Sequence, residues 1–107
     1  MNINRFNPNQ MIVNEYNPGQ GIQPHTDHVR LFGDTIVSIS LGSPVIMEFI
    51  LSGVVEKVFL QPRSMIVLTG DSRYLWKHSI PARKTDVYDD QIFHISRRVS
   101  LTFRMTK

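Results

Sequence analysis

His25-Thr26-Asp27, His78 and Arg98 are the residues whose types and spacing point to chemistry. Two imidazoles and one carboxylate can hold an Fe(II) on a single face, leaving the opposite positions open for a co-substrate and oxygen. A guanidinium pairs both oxygens of a carboxylate at once, so an arginine downstream suits a dicarboxylate co-substrate. On a strand, residues two apart point to the same side, and His25 and Asp27 can therefore reach one ion. Alone, His-x-Asp is a weak motif in a chain with four histidines. Its context is the turn Asn17-Pro18-Gly19-Gln20-Gly21, which delivers the pair at a strand mouth.

The third ligand has to be chosen among the remaining histidines. His28 is adjacent to Asp27 and points to the other face, and His94 ends a polar, poorly patterned stretch. His78 lies in the β-rich run Trp76-Lys77-His78-Ser79-Ile80, where strand geometry can hold it rigidly. Its bland alternative is a hydrogen-bonded core histidine beside Trp76. In the closing run, Arg98, Ser100, Thr102 and Arg104 share one face, opposite Val99, Leu101, Phe103 and Met105. A polar face bearing two arginines suits a strand lining a polar cavity, where a charged guest offsets the cost of burying guanidinium groups. Asn14 and Tyr16 also share a strand face, although the residues alone do not single them out. The same His/Asp set admits zinc; Arg98 favours iron, because a hydrolytic zinc site needs no dicarboxylate clamp.

Short strands must carry these groups. Apolar residues come in β-branched runs punctuated by Gly, Pro, Asn and Ser, placing strands near Gln10–Tyr16, Gly21–His25, Thr35–Leu41, Val45–Leu51, Val54–Leu60, Met65–Thr69, Leu75–Ile80 and Ile95–Arg104. Leu51-Ser52-Gly53 reads as a hairpin connection. In Thr35–Leu41, Val37, Ile39 and Leu41 fall on one face and Ser38 and Ser40 on the other. Helical periodicity is confined to one turn around Asp71–Tyr74, and the polar stretch Pro81–His94 is expected to be a loop. About eight short strands in one domain predict an all-β fold, a jelly roll of two antiparallel sheets with little helix.

A chain of 107 residues is large enough for one hydrophobic core and too small for two. The contents of 41% hydrophobic and 20% charged residues are those of an ordinary globular domain. With no cysteine, a disulfide framework, a thiolate metal site and a cysteine nucleophile are excluded. No apolar run nears the roughly 20 residues of a membrane span, and Met1–Phe6 lacks the pattern of a signal peptide. A cytoplasmic or nuclear location is the expectation. The net charge of +3, with basic residues gathered late in the chain, favours an anionic partner such as nucleic acid.

Several ordered motifs resemble the AlkB-like 2-oxoglutarate and Fe(II)-dependent dioxygenases. Val13-Asn14-Glu15-Tyr16-Asn17-Pro18-Gly19-Gln20-Gly21-Ile22 is similar to the family's Asn-x-Tyr strand and glycine turn, and His25-Thr26-Asp27 and Ile36–Gly42 follow. Arg98-Val99-Ser100-Leu101-Thr102-Phe103-Arg104 resembles its Arg-x-Asn/Ser-x-Thr-Phe-Arg hallmark. The resemblance covers nearly the whole chain, 1–107 as a single catalytic core, and implies a double-stranded β-helix. It implies His25, Asp27 and His78 as iron ligands, and Arg98, helped by Tyr16, on the distal carboxylate of 2-oxoglutarate. Asn14, Ser100 and Arg104 complete the co-substrate pocket on the same basis. The implied reaction couples oxidative decarboxylation of 2-oxoglutarate to succinate and CO₂, with O₂, to hydroxylation of a C–H bond; at an N-methyl carbon this releases formaldehyde.

Gly70-Asp71-Ser72-Arg73-Tyr74-Leu75-Trp76-Lys77-His78-Ser79-Ile80 is similar to the branch that hydroxylates a methoxycarbonylmethyl group on tRNA wobble uridine. The expected function is hydroxylation or oxidative demethylation of a modified nucleobase in RNA, with tRNA as partner, by a monomer. The alternatives are oxidation of alkylated DNA or of a protein side chain, and a catalytically silent jelly-roll module. The chain departs from the family in starting almost at the Asn-x-Tyr strand, without most of the N-terminal region that helps form a substrate lid. Within these 107 residues no RNA-recognition or methyltransferase domain is expected, and the stretch Pro81–His94 is short for that branch.

Overall fold

The structure is a computed structural model and describes residues 6–107; of the stretch Met1–Phe6 that lacks a signal-peptide pattern, Met1–Arg5 lie outside the described residues. In chain order it contains β1 (Gln10–Tyr16), β2 (Ile22–His25), β3 (Phe32–Gly42), β4 (Val45–Leu51), β5 (Val54–Leu60) and β6 (Ser64–Leu68). There follow α1 (Gly70–Tyr74), β7 (Lys77–Ile80), β8 (Thr85–Tyr88), β9 (Gln91–His94) and β10 (Arg98–Thr106). Two four-stranded antiparallel sheets, ordered β1-β10-β3-β6 and β2-β7-β4-β5, make the all-β jelly roll expected from the strand count.

Register explains which residues face inward. Across the first sheet, Gln10, Arg104, Ile36 and Leu68 form one rung, and Ile12, Thr102, Ser38 and Ile66 the next. Asn14, Ser100, Ser40 and Ser64 form a third, and Tyr16 pairs with Arg98 and Arg98 with Gly42 in the fourth. Side chains alternate between faces, so these rungs point to one side. The interleaved rungs, Met11-Phe103-Val37-Val67 and Val13-Leu101-Ile39-Met65, put the apolar residues on the sheet's outer face, where Met11, Val13 and Met65 are each 57% exposed. The buried core lies instead between the sheets, from Ile36, Val45, Met47, Phe49, Leu60, Leu68 and Ile80.

Tight turns keep the sheets in register. Ser52 and Gly53 both take positive φ between β4 and β5, whose partners Leu51 and Val54 close a two-residue hairpin. Gly42 has φ +82°, and a Cβ there would lie 2.5 Å from the Arg97 carbonyl oxygen, so the corner beside Arg98 requires glycine.

The strand expected at Thr35–Leu41 begins earlier, at Phe32, and the last strand runs on to Thr106. Those expected at Leu75–Ile80 and Ile95–Arg104 begin later because other contacts claim their first residues. Leu75 and Trp76 were expected in a strand, but both backbone N–H groups donate to the Asp71 carbonyl, at 2.8 and 3.1 Å, and close α1. Ile95–Arg97 were likewise expected in the last strand; Ile95 N–H instead donates to Lys84 O and Ser96 N–H to Ser43 Oγ. A larger correction concerns Pro81–His94, which is not simply a loop. It holds the antiparallel hairpin β8–β9, with Asp89 and Asp90 at positive φ in its turn. Tyr88 stacks on Phe59 of β5 with ring centroids 4.2 Å apart, and Phe93 meets Phe59 edge-on. Arg83 reaches both Asp86 and Glu48 of β4 and ties the hairpin to the second sheet. These tertiary contacts, rather than local apolar alternation, order a polar segment.

Candidate metal centre and co-substrate cavity

Sheet pairing brings the two histidines together. His25 on β2 and His78 on β7 are register partners, with ring centroids 4.4 Å apart. Asp27 follows β2 by two residues. One ligand atom from each of His25, Asp27 and His78 lies within 4.8 Å of the others, a spacing that fits a single metal ion. The Nε2 atoms of His25 and His78 stand 3.6 and 3.9 Å from Asp27 Oδ1. His25 Nδ1 lies 2.8 Å from the Gln23 carbonyl oxygen. A carbonyl only accepts, so Nδ1 carries the proton and Nε2 keeps its lone pair for a metal.

Asp27 divides its carboxylate. Oδ1 faces the imidazoles, while Oδ2 accepts a 2.8 Å hydrogen bond from Arg104 Nε. Arg104 in turn lies over the Phe32 ring and donates to Gln10. Burial holds the His78 imidazole below its ordinary pKa of 6.5; His25 adds to the lowering, Asp27 opposes it, and Arg104 and Arg73 deepen it. A neutral imidazole is the form that ligates a metal. His78 Nδ1 is buried and has no hydrogen-bond partner among the described residues. The other two histidines are not drawn in: His28 Nδ1 accepts from the N–H groups of Arg30 and Leu31 in an exposed turn, and His94 is exposed on β9.

The same cavity extends from this cluster to Arg98. It has a volume of about 240 Å³, and Asn14, Tyr16, Ser38, Met47, Ser100 and Thr102 are among the residues lining it. That is room for a small molecule rather than a single water. Arg98 is 2% exposed, its Nε donates to Ser40 Oγ at 3.0 Å, and its guanidinium lies 5.3 Å from the Tyr16 ring centroid. Its Nη1 is buried without a partner, and no ion pair engages Arg98 among the described residues. Burial pushes its pKa down, opposed by the Tyr16 hydroxyl. A buried cation with an unpaired donor, on a residue that lines a cavity, suits an anion. Arg97, one residue earlier, points outward to Glu15 at 2.7 Å.

Thus the structure brings into one cavity the residues that the sequence and its family resemblance pointed to: His25, Asp27 and His78 as a cluster, with Arg98, Tyr16, Asn14 and Ser100 in the same lining. Arg104 lines the cavity as well, but its Nε is committed to Asp27. Two buried side chains escaped the sequence reading. Ser40 fixes the Arg98 fork, and Ser40 falling on the face opposite Val37 and Ile39 was a signal for it. Arg73, 2% exposed, reaches the backbone around Asp27; in sequence it is one arginine among several.

Residues 1–104 match the family model described as the 2OG-Fe(II) oxygenase superfamily. Over 100 residues the chain is 42% identical to protein L905 of Acanthamoeba polyphaga mimivirus, covering 91% of this chain and 48% of that one. It is 46% identical over 84 residues to the tRNA (carboxymethyluridine(34)-5-O)-methyltransferase alkbh8 of Xenopus tropicalis, covering 78% of this chain and 13% of that one. The solved structure of OsALKBH1 superposes with a TM-score of 0.72 at 22% identity, covering 94% of this chain and 51% of that chain, a likeness of fold. The chain spans about half or less of the length of these relatives. Among the described residues no helix is long and apolar enough to cross a membrane.

Proposed function

This chain belongs to the 2OG-Fe(II) oxygenase superfamily, and on that premise we propose that it hydroxylates, or oxidatively demethylates, a modified nucleobase in RNA, with tRNA the foremost substrate. One observation carries the oxygenase reading: a buried, anion-seeking Arg98 stands in the same cavity as the His25, Asp27 and His78 cluster. Fe(II) held at this cluster would supply the activation of O₂, coupled to decarboxylation of 2-oxoglutarate to succinate and CO₂.

The chain's own residues bind and orient. His25 Nε2, His78 Nε2 and Asp27 Oδ1 hold the metal, and Arg104 fixes Asp27 by its other oxygen. Arg98 receives the distal carboxylate of 2-oxoglutarate, steadied by Ser40 and flanked by Tyr16, with Asn14 and Ser100 completing the pocket. The His25 side chain is 44% exposed, so substrate reaches the metal from the surface. The RNA preference rests on the similarity of Gly70–Ile80 to the wobble-uridine branch, on the tRNA named for the frog relative and on the basic balance of the chain. We place it in the cytoplasm or nucleus as a monomer.

Succinate formed from 2-oxoglutarate with Fe(II) in air tests the chemistry, read for the wild type and Asp27→Ala. Parallel reactions with tRNA, alkylated single-stranded DNA and peptides separate the substrate classes. Stimulation by tRNA that falls steeply with salt is expected, because phosphate contacts release counterions. Succinate at background in both proteins with every substrate overturns the oxygenase reading and leaves a binding module.

A further inference from the structure

Arg73 carries a charge that nothing acidic neutralises. It lies on α1, is 2% exposed, and forms no ion pair among the described residues. Burying a guanidinium in this way is costly unless its donors are all well used. They are used on main-chain carbonyls alone. Nε donates to Gly33 O at 3.0 Å, Nη1 to Asp27 O at 3.0 Å, and Nη2 to His28 O and Phe32 O at 3.2 and 3.3 Å. Asp27 and His28 lie just after β2, and Phe32 and Gly33 open β3, so the fork spans the turn between the two strands and takes in the carbonyl of Asp27 itself.

We propose that Arg73 is a positioning residue for the metal centre, locking the backbone at Asp27 so that its carboxylate meets His25 and His78 in a preset geometry. Asp27 is then held from two sides, by Arg73 at its carbonyl and by Arg104 at Oδ2. The platform under Arg73 is itself rigid. Thr69 and Ser72 close a reciprocal capping box at the start of α1, and the Tyr74 ring lies 4.6 Å from the guanidinium carbon. Lysine cannot take over, because a single ammonium offers three donors from one point and not a planar fork reaching four carbonyls.

The proposal rests on the metal reading above, and Mn(II) binding to the metal-free full chain tests it without turnover. Outer partners of metal ligands typically govern affinity by about 10- to 100-fold. Arg73→Lys is therefore expected to raise the Mn(II) dissociation constant at least about tenfold and to speed amide exchange across residues 28–33. Leu60→Val, a core change distant in role from the cavity, serves as the stability control. It should leave both readings within about twofold. Arg73→Lys binding Mn(II) within about twofold of wild type overturns the proposal, as does an equal loss in Leu60→Val. If Arg73→Lys does not fold, Tyr74→Leu removes the ring beneath the guanidinium and none of its hydrogen bonds. About threefold weakening is then expected, and unchanged affinity refutes the proposal. A wild type that binds no Mn(II) sinks the metal reading and this proposal together, whereas unchanged variants sink the proposal alone.

Discussion

Replacing Arg98 with methionine should abolish the chain's grip on one end of its co-substrate and leave the other end untouched. Arg98 is buried and lines the cavity, anchored by Ser40 through Nε and with Nη1 unpaired. A hydrogen bond to a charged partner contributes about 1.5–3 kcal/mol. A carboxylate taken by both terminal nitrogens therefore loses about 3–6 kcal/mol, or roughly two to four orders of magnitude in affinity. Binding is best measured by calorimetry on the Mn(II)-loaded chain, using 2-oxoglutarate and 2-oxopentanoate, which ends in a methyl group where the former has its distal carboxylate. The wild type should strongly prefer 2-oxoglutarate. Arg98→Met should bind the two alike, with 2-oxopentanoate held as tightly as by the wild type. The same substitution removes an unpaired buried charge, so the ligand-free variant should be equally or more stable to denaturant, by up to about 4 kcal/mol. Arg97→Ala, which loses only an exposed pair with Glu15, should change neither affinity. Equal weakening of both ligands in Arg98→Met would refute the reasoning, because Arg98 would then act through the fold and not as a clamp.

Ser40→Ala leaves Arg98 in place but removes the acceptor of its Nε, so the KM for 2-oxoglutarate should rise by roughly fivefold, measured by succinate release. Asp27→Ala takes the carboxylate from the metal cluster and leaves Arg104 without its partner; Mn(II) binding, followed by loss of the free-ion EPR signal, should disappear. His78 titrates below its ordinary 6.5 in the folded chain because burial disfavours its charged form. The unfolded chain then binds more protons over that interval, so the contribution is full above about pH 6.5 and is lost as pH falls toward the native value. Thermal melts of the metal-free wild type should accordingly drop across that window, and His78→Phe should flatten the drop.

Local pattern carried the strands and the inward polar face of β10, because a period of two is visible in any short window. Gln10–Tyr16, Val45–Leu51 and Val54–Leu60 are strands with the bounds their residues announce, and Arg98, Ser100, Thr102 and Arg104 line one cavity as their spacing requires. Outside that local reach, burial and pairing across the fold decide. Nothing within Pro81–His94 announces a hairpin; Phe59, far away in the chain, orders it by stacking on Tyr88. Arg97 and Arg98 are alike as letters, yet one is an exposed partner of Glu15 and the other a buried donor with a free nitrogen. His25 and Asp27 are neighbours by sequence, while His78 joins them only because β2 and β7 pair. The residue types thus determined which chemistry the chain can perform. Tertiary structure decided which arginine keeps an unpaired buried donor, which pairs with Asp27 and which donates to main-chain carbonyls, because charge is local but desolvation depends on everything packed around it.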